Sequence, residues 1–549
     1  MARPTRLTQD MIDDYIAGGF WDEVGIADIL RRNAEQYPDK EALIDSEMRL
    51  TWSELNEMTE RVAVGLLTSG IRRDQAVVAQ LPSSATLLVV LQACHKAGIL
   101  CCFTPMAFRQ MEMRHLFKTL KAAAVVTPYK YRNFDYFKMV RKAAAEIPQL
   151  NIFIVTGNEI PPEGIAFRRL TESPLEKKYF HKISSFNPFE VSFIALSSGS
   201  TGMPKCIEHT GASCKVAGRS AALRAKLTKE DVFGIVAPLS GGPAIQSWWA
   251  ALQLGAKVCL LEHFSPDDVL HLIQREQVTF LSAIPTQIIR ILKETDPSKY
   301  DLSSLQVLRT GAAAFDAFLG RETEARMRCK VVIAGGSQET YSFAQGGVDD
   351  PLEKRVHTLG RPFPGNELKI VDEKGKEVPA GEIGILLVRG AATSSGYFGD
   401  AEATLAAWGE FGKEGWFKTG DLAKLDEQGY LNLVGRKKEM ILRGGQNIYP
   451  KEIEDLLHSH PKVKQAVIVG IPDPIMGERA CACTKVLDGE EFVFEEMVSF
   501  LSKKGLAVHK LPERLEVLDE FPMLVDGQKI NKALLIKLIT EKHKTDSRF

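Results

Sequence analysis

Val191-Ser-Phe-Ile-Ala-Leu-Ser-Ser-Gly-Ser-Thr-Gly-Met-Pro-Lys205 decides how this chain is read. Its first five residues are apolar and β-favouring and predict a strand. A run of serines, a threonine and two glycines comes next and ends on Lys205. Glycines let a backbone turn tightly and present its N–H groups, hydroxyls add donors, and the lysine adds a positive charge. Together they suit a polyphosphate. The stretch is not a Walker loop, because Pro204 and not glycine precedes the lysine. A plain Ser/Gly-rich surface loop is the competing reading.

Outward from this loop, apolar runs of strand length alternate with helical segments. Residues 77–81, 123–126, 152–155, 232–237, 257–261, 279–283 and 330–334 read as strands, and 84–96 and 285–294 as helices. Runs buried on both faces and separated by helices predict an α/β protein with layered, largely parallel sheet. Past residue 365 the texture changes to alternating strands at 367–372 and 384–389. Residues 435–439 are polar and read as a linker. Beyond them, helices at 450–459, 495–504 and 530–544 and strands at 466–469 and 514–517 form a smaller unit. The expected division is a large N-terminal domain, residues 1–437, and a small mobile C-terminal α+β domain, residues 438–549, hinged near Lys438.

The 549 residues allow three or four units of core at roughly 150 residues each. Hydrophobic residues are 45% and charged residues 25%, ordinary globular values that argue against a disordered chain. The formal charge of −1 gives no global field for nucleic acid or anionic membrane. The nine cysteines lack metal-knuckle or redox spacing, so free thiols in a reducing cytoplasm are expected. The start of the chain has no apolar signal core. The longest apolar stretch, residues 86–108, contains His95 and Lys96 and reads as a buried helix and strand, not a membrane span.

The loop also resembles the signature of the adenylate-forming superfamily, which includes acyl- and aryl-CoA ligases. The resemblance recurs in order along residues 25–540, from Tyr37-Pro-Asp-Lys40 and Leu50-Thr-Trp-Ser-Glu-Leu55 at the start. It continues through Gly336-Ser-Gln-Glu-Thr340, Gly381-Glu-Ile-Gly384 to Gly396-Tyr-Phe398, and Gly415-Trp-Phe-Lys-Thr-Gly-Asp421. It closes with Gly435-Arg-Lys-Lys-Glu-Met-Ile441, Gly444-Gly-Gln-Asn-Ile448 and Asp526-Gly-Gln-Lys-Ile-Asn-Lys532.

This resemblance implies an acid–thiol ligase. A carboxylate attacks the α-phosphorus of ATP, giving an acyl-adenylate and pyrophosphate, and the thiol of coenzyme A then displaces AMP. Ser197, Ser198, Gly199, Ser200, Thr201, Gly202 and Lys205 would cradle the phosphates. Glu339, with Thr201, would hold Mg²⁺, a hard cation that prefers oxygen ligands. Gly311, Ala312, Gly336, Ser337, Gln338 and Thr340 would line the nucleotide and acyl pocket. Asp421 and Arg436 would bind the ribose. Lys529 would bridge carboxylate and α-phosphate during adenylation, Lys438 would be the hinge, and Gly445 would line the pantetheine passage. A stand-alone adenylation enzyme serving a separate carrier protein, a luciferase-like oxygenase and a non-catalytic nucleotide-binding relic are the alternatives.

The chain departs from the pattern where the acid is expected. Gly335 stands where an aromatic residue usually stacks on adenine, and Gln338 replaces the usual threonine. Cys206-Ile207 follows the loop lysine, close to the Leu-Ile of dihydroxybenzoate-activating enzymes. Thr210-Gly211 replaces the frequent Thr-His. Pro238-Leu-Ser-Gly-Gly-Pro243 offers an open, small-residue gate instead of an aromatic one. Of the pair Trp248–Trp249, core packing is the expected role of at least one, and one is a candidate to face the pocket. These features predict a wide, short pocket for a cyclic (aryl or alicyclic) or short- to medium-chain acid.

Overall fold

The computed structural model describes residues 4–174, 185–197, 203–313, 315–409, 415–524 and 530–545. Within them a seven-stranded and a nine-stranded sheet share a layer of helices. One core cluster joins inward residues of the first sheet (Val77, Cys101, Val126, Phe193) and of the second (Leu43, Phe233, Val258, Phe280, Val307). The same cluster includes the helices Trp52–Thr68, Ala85–Ala97, Gly211–Ala225 and Gly242–Leu254. Further helices cover the outer faces. Strands Ala76–Ala79, Leu100–Phe103 and Ala124–Pro128 are buried at every position, which explains their unbroken apolar sequence.

The helix Ala85–Ala97 has every residue except Thr86 buried, as expected of a helix between two sheets. It stops at Gly98, whose φ of 66° closes a left-handed C-cap. Its charged interruption is satisfied internally, since Lys96 donates to the Asn56 carbonyl and side-chain oxygens and pairs with Glu60 at 3.1 Å. One expectation fails here. Trp248 and Trp249 are both buried in the core, with Trp249 edge-on to His95 and Phe193. A Cβ on Gly218 would lie 2.5 Å from the Trp249 backbone, so glycine is what lets the two helices pack this closely.

The seven-stranded sheet is parallel until its last strand. Lys205–Thr210 pairs antiparallel with Val191–Ser197, so the Ser/Gly-rich loop is the tip of a hairpin, with a second strand that the apolar pattern does not announce. A four-stranded antiparallel sheet follows, from Asn366–Val371 to Leu431–Arg436. The polar stretch expected as a linker divides: Gly435 and Arg436 finish this last strand, and only Lys437–Glu439 forms a connecting 3₁₀ turn. The C-terminal unit has its own sheet and its own core around Ile453, Leu457, Ile468 and Met497. Its strand Gly477–Val486, also absent from the sequence-based expectation, carries Cys481 and Cys483 side by side with no disulfide.

Candidate active site

The loop leaves the sheet at the carboxyl end of its parallel strands, where open α/β sheets bind ligands. Its two ends are fixed by the hairpin register, which pairs Ser197 directly with Lys205. Ser198, Gly199, Ser200, Thr201 and Gly202, expected at the phosphates, lie outside the described residues, as does Lys529. Lys205 projects its ammonium over the ring of Tyr397, 4.7 Å from the centroid. The Tyr397 hydroxyl donates to Glu339 Oε1 at 3.0 Å. One tyrosine therefore stands between the loop lysine and the expected metal carboxylate. Burial and the nearby Glu339 charge raise its phenol well above the ordinary value, so it remains a donor.

Glu339 sits in a turn between two antiparallel strands, Lys330–Ser337 and Tyr341–Gln345, and not at a helix start. Gly336 is demanded by this turn, since a Cβ there would lie 2.1 Å from the Tyr341 carbonyl oxygen. The turn is braced from several sides. Glu339 N donates to Ser337 Oγ, Ser337 N to Thr340 Oγ1, and the Ser394 N–H to the Glu339 carbonyl at 2.7 Å. Gln338 reaches the Ser240 carbonyl at 3.1 Å, tying the turn to the small-residue gate. Beneath it, His209 donates from Nε2 to the Gln338 carbonyl at 2.8 Å and lies against Tyr341 with centroids 4.1 Å apart. Burial lowers His209 to about 4, so it is a neutral prop.

Gly311 ends the strand beside this turn, and a Cβ there would lie 2.5 Å from the Ala334 carbonyl oxygen. Ala312 follows in the left-handed region at φ 69°, and Ala312 and Ala313 are exposed. On the antiparallel sheet, Asp421 and Arg436 are register partners and pair at 2.7 Å. Thr419 accepts from the Asp421 N–H at 3.0 Å and donates to the Leu386 carbonyl, which fixes the bend. Lys438 is exposed in the 3₁₀ turn just beyond. Gly445 is not brought to the other site residues' surroundings. It sits at the exposed tip of the hairpin Ile441–Arg443/Gln446–Ile448 at φ 82°, with nothing within 4 Å of a notional Cβ.

Tyr397, His209 and Ser394 carry no sequence signal that singles them out. Tyr397 lies in the stretch Gly396-Tyr-Phe398, but nothing in the sequence tells which of Tyr397 and Phe398 points inward. Gly396, at φ 128°, and the Ile207–Tyr397 bridge decide it.

A divalent cation held largely through substrate phosphates needs only one or two protein carboxylates. Glu339 beside Lys205 fits that donor set, and among the described residues no cluster of three metal-type ligands competes with it. All nine cysteines are buried and free, and burial pushes Cys206, next to the loop lysine, up to about 12. That leaves no thiolate nucleophile at this hairpin. No helix among the described residues is long and apolar enough to cross a membrane.

Comparison with known proteins agrees with this geometry. The profile of AMP-binding enzymes matches residues 30–398, and that of the AMP-binding enzyme C-terminal domain matches residues 452–527. A 2,3-dihydroxybenzoate-AMP ligase of Bacillus subtilis (strain 168) is 32% identical over 541 residues, covering 97% of each chain. A medium-chain fatty-acid–CoA ligase of Escherichia coli (strain K12) is 30% identical, covering 95% of this chain and 92% of the relative. The crystal structure of an anthranilate CoA ligase, AuaEII, in complex with anthranoyl-AMP shares the fold. It superposes with a TM-score of 0.88 at 22% identity, over 96% of this chain and 99% of that one. The chain therefore belongs to the AMP-binding enzyme family, with both the nucleotide-binding domain and the C-terminal domain of that family.

Proposed function

We propose that this chain is an ATP-dependent, AMP-forming ligase that joins a cyclic or short- to medium-chain carboxylic acid to coenzyme A through an acyl-adenylate. The observation that carries the reading is the Lys205–Tyr397–Glu339 line at the mouth of the Ser/Gly-rich hairpin. Bringing a carboxylate to the α-phosphate of ATP sets anion against anion, so fixed positive charge has to be waiting there. Lys205 supplies it from the hairpin, and Lys529 would supply it at the carboxylate. Mg²⁺ at Glu339 would neutralise phosphate charge. Tyr397 donates to Glu339, which holds that carboxylate in place. Asp421 would accept from the ribose hydroxyls while Arg436 holds it in place. The turn at Lys438 would carry the C-terminal domain from an adenylation pose to one in which Gly445 admits the pantetheine arm.

The test is acid-dependent ATP–pyrophosphate exchange followed by thioester formation with coenzyme A. Exchange without thioester would favour the second reading, transfer to a separate carrier protein. The B. subtilis relative, named for its AMP ligase step alone, keeps that reading in view. No exchange with any acid would mark a nucleotide-binding relic. Nine buried free thiols support a reducing, cytoplasmic setting.

A further inference from the structure

Arg309 interrupts the otherwise apolar run Val307–Leu308 in the middle of the nine-stranded sheet, and its side chain is fully buried. Among the described residues no carboxylate pairs with it. Its Nε donates to Gln345 Oε1 at 2.7 Å and its Nη1 to the Pro243 carbonyl at 3.1 Å. Its Nη2 donates to Gln246 Oε1 at 2.9 Å and to Ser342 Oγ at 2.7 Å. Burial lowers the guanidinium to about 10, still a cation at neutral pH. A cation buried among neutral partners is costly, and mere cross-linking of a helix to a strand does not require one.

The arrangement has a second consequence. A guanidinium only donates, so each glutamine must turn its oxygen toward it. Both Gln246 Nε2 and Gln345 Nε2 are thereby left buried without an acceptor. Gln246 Oε1 is further occupied by the Ser342 hydroxyl at 2.8 Å. The cluster is rich in donors and positive charge and short of acceptors.

On the ligase reading, in which Gly311 and Ala312 line the acid pocket, this cluster lies beneath that pocket. Arg309 lies two residues before Gly311 on the same strand, about 6.6 Å deeper at the usual rise. Ser342 is the register partner of Gly336. Pro243 follows the small-residue gate, where a Cβ on Gly242 would meet only Gln338 Oε1, at 3.7 Å. An acid with its carboxylate at the adenylation level would therefore extend its far end toward this cluster. We infer that Arg309, with Gln246, is a specificity-determining group that selects acids carrying an oxygen acceptor, a hydroxyl or a second carboxylate, on the part of the molecule remote from the reacting carboxylate. The inference rests on the ligase reading above and narrows its acid.

The experiment compares kcat/KM for pyrophosphate exchange with benzoate, cyclohexanecarboxylate, 3- and 4-hydroxybenzoate and benzene-1,3- and 1,4-dicarboxylate. In the wild type at least one oxygen-bearing acid should exceed benzoate by about tenfold or more, the discrimination expected when buried donors would otherwise stay unpaired. The hydroxyl and dicarboxylate arms tell which acceptor is meant. Arg309→Met should shrink that ratio to about threefold or less with the KM for ATP unchanged, and Arg309→Lys should keep part of it. Wild-type rates on benzoate or cyclohexanecarboxylate matching every oxygen-bearing acid would overturn the inference. So would an Arg309→Met that slows all acids equally. If Arg309→Met does not fold, Gln246→Leu is read by the same ratio. If no acid supports exchange, the ligase reading fails instead. Thermal stabilisation of wild-type and variant protein by the same acids then decides whether Arg309 selects them.

Discussion

The turn that carries Glu339 and the C-terminal hairpin are built on opposite principles. Glu339 is 9% exposed and its turn is braced by Ser337, Thr340, Ser394, His209 and Tyr397, which come from separate stretches of chain. The hairpin around Gly445 projects into solvent and, among the described residues, is tied to its own domain, by Leu442 N to Glu478, Gly444 N to Met476 and Arg443 to Glu513. The first site is pre-organised, which charge stabilisation requires, because donors that must reorient when charge develops lose most of their worth. The second is an exposed tip, which the proposed movement of its domain would deliver. Among the described residues, Met440 and Tyr449 lean on the Trp416 cluster and His458 is 3.7 Å from Asp316, contacts that such a movement would break. In the proposed cycle one half of the chemistry waits in place while the other half is brought to it.

The sharpest way to break this comparison is Lys529→Ala. Acyl-adenylate formation should fall by roughly 100- to 1,000-fold, the usual loss for one transition-state charge contact. Thioester formation from pre-made acyl-adenylate should be nearly untouched, because Lys529 would have left with its domain. Single-turnover assays of each half-reaction read the two numbers. Equal loss in both would mean that the C-terminal domain does not alternate.

Glu339→Gln sharpens the other side. It removes a charged ligand from a site suited to Mg²⁺, so half-saturation by Mg²⁺ should rise by about tenfold or more. Tyr397→Phe should shift it the same way by less, about tenfold at most, since one hydrogen bond to a charged group is lost. A Mg²⁺ titration unchanged by Glu339→Gln would place the metal elsewhere.

Legibility in the sequence divides along the same line. The buried parallel strands were legible because a strand covered on both faces has to be apolar throughout, and the helix Pro285–Glu294 was legible at both ends. The motifs located Glu339, Asp421 and Arg436, and the last two are indeed strand partners. The strand Lys205–Thr210 was not legible, because Lys205, Glu208 and His209 break the apolar pattern for reasons that lie across the fold. Glu208 accepts from Thr5, and His209 props Gln338. The role of Tyr397 depends on a glycine turn and a cross-chain bridge. The burial of both Trp248 and Trp249 depends on a core assembled from both sheets and the helices between them. Contacts of that kind connect residues far apart in the chain, and local pattern does not record them.

The smallest expected effect is on stability against acid, and it probes how firmly the N-terminal half is held. His95 and His209 are fully buried, and burial lowers them to about 3 and about 4. His95 also leaves Nε2 without a partner, its ring edge-on to Trp249 at 5.7 Å. Both are bases whose folded-state values lie below the unfolded value of about 6.5. The unfolded chain therefore takes up protons first as pH falls. The stabilisation is fully present above pH 6.5 and is lost progressively toward pH 4 and below. Between pH 6.5 and 5 each histidine should cost about 2 kcal/mol, at 1.36 kcal/mol per unit of separation. Glu276, which Lys257 and Arg49 hold down at about 2 in spite of burial, adds its own loss only below about pH 4.5. His95→Phe keeps a ring against Trp249 and removes the titration. Its thermal midpoint should fall less than that of the wild type from pH 6.5 to 5, and the two curves should run parallel above pH 7. Equal slopes throughout the acid window would show that His95 is reached by water before the fold opens, and that the layer between the two sheets is looser than the turn at Glu339.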